Sequence, residues 1–230
     1  MTQALLSLAS ALAPGPAPGP APVADGLFPR LTATEFRQLR HQTKNALQRI
    51  LFMIDAHPAL RQTEASRAVA ADLHRRILLT AEISDALFGL THEPAPFAER
   101  LAGLCEAMTA LLGAPGQDIR LRLRLAEPCP EPLQEAVLRV AHELVGNAVK
   151  HGLYARLAGE IEVRLENDGS ELRLLVLDDG WGWTEPMVAG EGLSLARVIA
   201  TREAGRVTLD RKGNRTVAML ALPLVDAPAG

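Results

Sequence analysis

Two runs of helical periodicity, residues 31–56 and 61–90, joined through His57-Pro58-Ala59-Leu60, constrain this chain more than any other feature. In the first run Phe36, Leu39, Thr43, Ala46, Ile50 and Met53 recur at spacings of three and four, the seam of a bundle helix. Pro58 disfavours helical backbone at His57 and ends the run. In the second, Val69, Leu73, Ile77, Ala81, Ser84 and Leu87 or Phe88 share one stripe. The short connection makes the pair an antiparallel hairpin. One hairpin covers a single face of each helix and is marginal alone, whereas two hairpins close a four-helix core. A homodimer is expected.

Pro94 and Pro96 then break the helical pattern and mark a linker. Beyond it element types alternate: a helix at 98–112, a strand at 119–125, a long helix at 133–151, strands at 160–166 and 172–177, a helix at 193–204, and strands at 206–210 and 216–222. Alternating residues such as Ile161, Val163 and Leu165 give a strand one face for helices and one for solvent. The fold class expected is α+β, a helical hairpin forming a dimeric four-helix bundle followed by a two-layer α/β sandwich. Residues 1–27, rich in Ala, Pro and Gly, are expected to be a disordered tail, 28–92 the hairpin and 97–225 the sandwich.

A net charge of -3 supplies no general attraction to nucleic acid or to an anionic membrane surface. No apolar run is long enough to span a bilayer, and the start lacks the basic residues of a secretory signal. Cys105 and Cys129 sit in no metal-ligand spacing and are expected to be free thiols. A cytoplasmic protein follows from these features.

The chemistry concentrates in His142-Glu143-Leu144-Val145-Gly146-Asn147-Ala148-Val149-Lys150-His151-Gly152. On a helix, Glu143, Asn147 and His151 recur every four positions and stack along one polar face. Oxygen donors of that kind suit Mg²⁺ and its waters. After the strand at 172–177 comes Asp178-Asp179-Gly180-Trp181-Gly182, where glycine lets the backbone turn sharply beside a ligand. Gly190-Glu191-Gly192 precedes a helix, whose free N–H groups and dipole favour phosphate.

Taken in order, HELVGNAVKH, LDDGWG, GEGLSL and a last strand with GNRTVAMLALPL resemble the N, G1 and G2 boxes of the ATPase superfamily that includes gyrase, MutL and the histidine kinases. The resemblance implies the Bergerat-type sandwich and the ligands ATP and Mg²⁺. It implies that Asn147 holds Mg²⁺ with Glu143 beside the metal, that Asp178 accepts from the adenine amino group, and that Gly180 and Gly182 line the pocket. Gly190 and Gly192 would face the phosphates, Thr216 would support Asp178, and Lys150 and His151 would neighbour the phosphates. The segment between Gly182 and Gly190 is short for a loop closing over ATP, and Glu191 places a carboxylate between the phosphate-facing glycines. Trp181 and Trp183 are expected to bury against the base or the sheet.

In the hairpin, Leu39-Arg40-His41-Gln42-Thr43-Lys44-Asn45-Ala46-Leu47-Gln48 resembles the H-box of the histidine kinase subgroup with the motif HRxKNxLQ, akin to the HWE kinases. Gln42 stands where that motif has arginine. His41 lies two residues from both Leu39 and Thr43, roughly 200° around the helix from each, and so faces away from the seam. A neutral imidazole with a pKa near ~6.5 keeps a lone pair for in-line attack on a phosphoryl group. Glutamine at 42 cannot act as a carboxylate base, which leaves the base open; Lys44 or Asn45 would steady the phosphohistidine. His57, His74 and His92 are expected to be surface or linker residues.

The resemblance therefore implies an ATP-dependent histidine autokinase that passes phosphate from His41 to an aspartate of a response-regulator receiver domain, with a separate sensor protein supplying the signal. Three other functions fit parts of the same pattern. One is a dimeric histidine phosphotransferase with a degenerate nucleotide domain, which explains the short loop. Another is a serine kinase acting on a sigma factor or its antagonist, which lacks an H-box. The last is a gyrase-like ATPase using Glu143 to activate water.

Overall fold

The computed structural model describes residues 33–89, 95–125, 128–182 and 190–224, with side chains from Gln38 onward. The expected tail at 1–27, most of the linker, His92, and Trp183 with the rest of the segment at 183–189 lie outside the described residues.

Two long helices come first, α1 (Ala33–Ala56) and α2 (Glu64–Phe88), joined through a 3-10 turn at Pro58–Arg61. Pro58 opens that turn with His57 extended before it, as expected for a residue preceding proline. Thr63 and Ser66 cap α2 reciprocally, each side chain accepting from the other's backbone N–H at 3.0 Å. Gly89 ends α2 in the left-handed region at φ +60, a conformation that glycine adopts without strain.

The half-buried side of α1 carries Arg40, Thr43, Leu47, Leu51 and Ile54. Four residues of the expected seam are exposed instead: Leu39 at 50%, Ala46, Ile50 at 40% and Met53 at 58%. The periodicity thus contains two adjacent stripes, one half-buried and one exposed. His74 is also more than a surface residue, its Nδ1 lying 3.4 Å from Asp55 across the hairpin.

The rest of the chain is mixed α/β. Helix α3 (Phe97–Leu112), strand β1 (Asp118–Arg124) and helix α4 (Glu131–Asn147) precede strands β2 (Ala158–Asn167) and β3 (Glu171–Asp178). Helix α5 (Glu191–Arg202) and strands β4 (Arg206–Lys212) and β5 (Arg215–Pro223) complete it. The five strands run β1-β2-β3-β5-β4, parallel between β1 and β2 and antiparallel elsewhere.

Alternation sets the two faces. Ile161, Val163 and Leu165 of β2, Leu172, Leu174 and Val176 of β3, and Leu220 and Leu222 of β5 form one core with Val137, Leu138, Val140 and Leu144 of α4 and Leu101 and Leu104 of α3. The end of α2 joins that core through Ile83 and Ala86, and Arg100 donates to the Ala86 carbonyl at 2.8 and 3.2 Å. On the opposite face Glu162, 2% exposed, is paired with Arg124, Arg164 and Arg215, and these hold its carboxyl below the usual range.

Cys105 lies inside the core and Cys129 is half-buried; both are free, and burial pushes each thiol up to about 12. No helix among the described residues is long and apolar enough to cross a membrane.

Leu138 is fully buried at 0% exposure between sheet and helices. Leu138→Ala is expected to lower the unfolding free energy by about 2–5 kcal/mol, the scale of a large-to-small core change, as measured by urea denaturation.

Candidate functional site

The row of inward residues on β3, Leu172, Leu174 and Val176, continues to Asp178, so strand alternation alone turns this carboxylate toward the helices. Antiparallel register places Thr216 of β5 directly opposite, on the same face. Asp178 is 4% exposed and Thr216 9%, making them a polar end to an apolar row.

Room for the pair comes from the end of α4. The regular helix stops at Asn147 and widens into a π turn over Ala148–Gly152, closed by Leu153 N–H donating to the Ala148 carbonyl at 2.9 Å. The continuous helix expected over 133–151 is therefore divided. Glu143 and Asn147 remain one turn apart and half-buried, but the wider turn takes His151 out of their line. Lys150 and His151 are both exposed.

Gly152 is required at this point. A Cβ there would sit 2.5 Å from Asp178 Oδ1, so any side chain would displace the carboxylate. Gly180 approaches from the other side, where a Cβ would collide with the Gly152 carbonyl oxygen. The Gly180 N–H donates to Asp178 Oδ1 at 3.0 Å, and the Trp181 N–H donates to the Gly152 carbonyl at 3.0 Å. Two glycines thus bring the π turn and the β3 exit into backbone contact around one buried carboxylate.

Burial raises the Asp178 carboxyl above its ordinary range. The Gly180 N–H, the Thr216 hydroxyl and Arg156 oppose that shift, and Asp179 adds to it. The Thr216 hydroxyl lies near enough to favour the charged form yet makes no well-formed hydrogen bond, which leaves a buried polar atom for a ligand or water to satisfy.

Asp179 has a different task. It accepts from Glu160 N–H at 2.8 Å and pairs with Arg156, whose guanidinium also lies 5.8 Å from the centre of the Trp181 ring. Trp181 was expected to bury, and it is instead 68% exposed, its indole N–H donating to the Tyr154 carbonyl at 2.9 Å. The backbone bond to Gly152 and the indole bond to Tyr154 hold the ring at the surface, with Arg156 beside it. Gly182 follows at φ +75, and a Cβ there would strike the Arg211 guanidinium.

At α5 the two glycines separate in role. No described residue comes within 4 Å of a Cβ built on Gly190, whereas one on Gly192 would strike Glu143 Oε2. Gly192 therefore makes room for the carboxylate of Glu143, a reason distinct from the phosphate contact that the resemblance implied. Glu143 also lies 3.0 Å from His142 Nδ1. Glu191 is exposed in the first turn of α5. In the hairpin, the side chains of His41, Lys44 and Asn45 are exposed.

Sequence reasoning missed His142, Gly152 and Arg156. His142 is offset by about 100° from the polar line and so carried no periodic signal. Gly152 looks like a helix terminator, and the Arg156 contacts bridge segments far apart in sequence.

The fold and this arrangement define a class. Residues 133–226 match the family described as histidine kinase-, DNA gyrase B-, and HSP90-like ATPase. Among solved structures, the chain is similar to the histidine kinase domain of the EL346 blue-light activated histidine kinase of Erythrobacter litoralis. That likeness has a TM-score of 0.54 at 18% identity, covering 84% of this chain and 94% of that one. A longer structure of the same kinase matches with a TM-score of 0.54 at 19% identity, over 86% of this chain and 63% of that one. Both are likenesses of fold. No curated protein matches the chain.

The donor set fits an adenine nucleotide carrying Mg²⁺. Asp178 is a buried acceptor beside an unsatisfied hydroxyl, and the described residues contain no group of three or more His, Cys, Asp or Glu able to hold a metal unaided. A metal held by one or two protein oxygens and otherwise by phosphates and waters needs no such cluster.

Because the folded pKa of Asp178 is raised, its ionised form costs stability above the ordinary carboxylate range, and the cost disappears as pH falls below that range. Asp178→Asn should therefore melt at a higher temperature than wild type at pH 8, with the difference closing on acidification, as followed by calorimetry. Gly152→Ala should lose about 1–3 kcal/mol in urea unfolding, the scale of overpacking, because its Cβ enters the Asp178 carboxylate.

Proposed function

We propose that this chain is a cytoplasmic ATP-dependent protein histidine kinase of the two-component type, which phosphorylates itself on His41 and passes the phosphoryl group to an aspartate of a response-regulator receiver domain. The observation that carries this is the presence, in one chain, of a segment that matches the histidine kinase-, DNA gyrase B-, and HSP90-like ATPase family and an exposed histidine in an H-box-like segment on a helical hairpin.

Asp178 would accept from the adenine amino group, with Gly180 and Gly182 lining the pocket and the Thr216 hydroxyl completing the polar end. Asn147 and Glu143 would hold Mg²⁺, which when bound neutralises charge on the phosphate oxygens. Gly190, at the start of α5, with Lys150 and His151 as neighbours, would offer donors to the phosphates. A neutral nitrogen of His41 forms the new N–P bond while the bond from the γ-phosphorus to the bridging oxygen of ADP breaks. The imidazole N–H proton leaves to a base. Lys44 and Asn45 steady the product through charge-assisted hydrogen bonds.

A second copy of the chain would cover the stripe formed by Leu39, Ala46, Ile50 and Met53, three of which are among the large apolar side chains left exposed. The hairpins would then close a four-helix core.

Incubation with radiolabelled Mg-ATP tests the proposal. Label is expected on wild type, labile to acid, and absent from His41→Ala and Asn147→Ala. Acid-stable label, or label retained in His41→Ala, would refute it. A phosphotransferase would show the opposite pattern, taking no label from ATP but accepting it from a phosphorylated receiver. For the dimer, light scattering of Ile50→Glu/Met53→Glu should report a monomer whose ATPase domain retains nucleotide binding.

A further inference from the structure

Neighbouring residues on a helix point about 100° apart and do not ordinarily meet. His142 and Glu143 do meet: Nδ1 of the imidazole is 3.0 Å from Glu143 Oε1, with the two side chains 34% and 22% exposed. A carboxylate can only accept, so Nδ1 is the donor and a neutral His142 carries its proton there.

The other oxygen of Glu143 is confined too. It rests against the α-carbon of Gly192 in the first turn of α5, where even a methyl group would overlap it. The carboxylate is thus clasped between an imidazole of its own helix and the start of another. The imidazole is the only one of these two contacts with direction, because a Cα surface limits position but not rotation.

We propose that His142 is a positioning residue for Glu143: its Nδ1–H fixes the rotation of the carboxylate at the mouth of the nucleotide site, and Glu143 acts from that orientation. The inference rests on the kinase function proposed above, since the consequence of positioning is read in phosphoryl transfer. It assigns His142 no contact with nucleotide or metal.

The variants are His142→Ala, which removes the donor; His142→Asn, whose amide nitrogen can donate from nearly the same place as Nδ1; and each combined with Glu143→Gln. His142→Ala should lower kcat of autophosphorylation by about 10- to 100-fold, the scale for loss of a group that orients another. The calorimetric affinity for metal-free ADP and the melting temperature should stay close to wild type. His142→Asn should recover most of the rate. In the Glu143→Gln background His142→Ala should change the rate little, because the group it orients is already gone.

An activity-independent readout is the ¹⁵N spectrum of His142 in the full chain at a pH where it is neutral. The Nδ1–H tautomer is expected in wild type, reverting to Nε2–H in Glu143→Ala. Wild-type kcat in His142→Ala, a loss that multiplies with that of Glu143→Gln, or an Nε2–H tautomer in wild type would each overturn the proposal. A wild-type chain that takes no label but shows the Nδ1–H tautomer refutes the kinase and upholds the contact.

Discussion

A buried carboxylate has to be held by something, and the way Asp178 is held determines the shape of this domain's functional end. Strand alternation turns it toward the helices, at the end of a row of leucine and valine. At that position an α-helix with ordinary side chains would close over it. The π turn at the end of α4 and the glycine at 152 open a space instead, and Gly180 lets the strand exit fold back into the same place. The acid is desolvated, but it is met by an N–H, a hydroxyl and a nearby guanidinium. Stability is surrendered locally so that one acceptor stands ready in a pocket, a pattern common to sites that bind what the rest of the protein excludes.

A second feature concerns Glu143. The last regular turns of α4 carry Glu143 to the start of α5, and Gly192 is the residue that tolerates that approach. The glycines of the site therefore serve separate physical ends. Gly152 and Gly180 admit Asp178, Gly182 adopts a left-handed turn beside Arg211, and Gly192 admits Glu143; at Gly190 no described residue comes within 4 Å of a Cβ. Treating them together as phosphate ligands would obscure three of these constraints.

Much of this was legible in the sequence. Every element from α1 to β5 shows in the periodicity, because long amphipathic helices and alternating strands carry strong signals. Asp178 was singled out by the resemblance of LDDGWG to the family's G1 box, since an acidic pair after a strand is by itself a weak signal. What could not be read was local and three-dimensional. A π turn adds a residue to a turn without a signature, so the line from Glu143 to His151 looked continuous. The exposed indole of Trp181 depends on Arg156 and on a backbone bond to Gly152, contacts between segments that share no pattern. The α1 stripe was seen, but one sequence cannot show which side of a helix its own hairpin partner covers. The His142–Glu143 contact runs against the usual rule for adjacent helical residues, and only coordinates reveal it.

The central claim is that the Asp178 pocket reads the edge of adenine. Guanine presents an acceptor where adenine presents its amino donor, so a buried carboxylate there should favour the one and repel the other. Calorimetric titration of the chain with Mg-ATP and with Mg-GTP tests this directly. The account predicts saturable binding of Mg-ATP and none of Mg-GTP at the same concentrations. Equal affinity for the two nucleotides, or heat from neither, would contradict it.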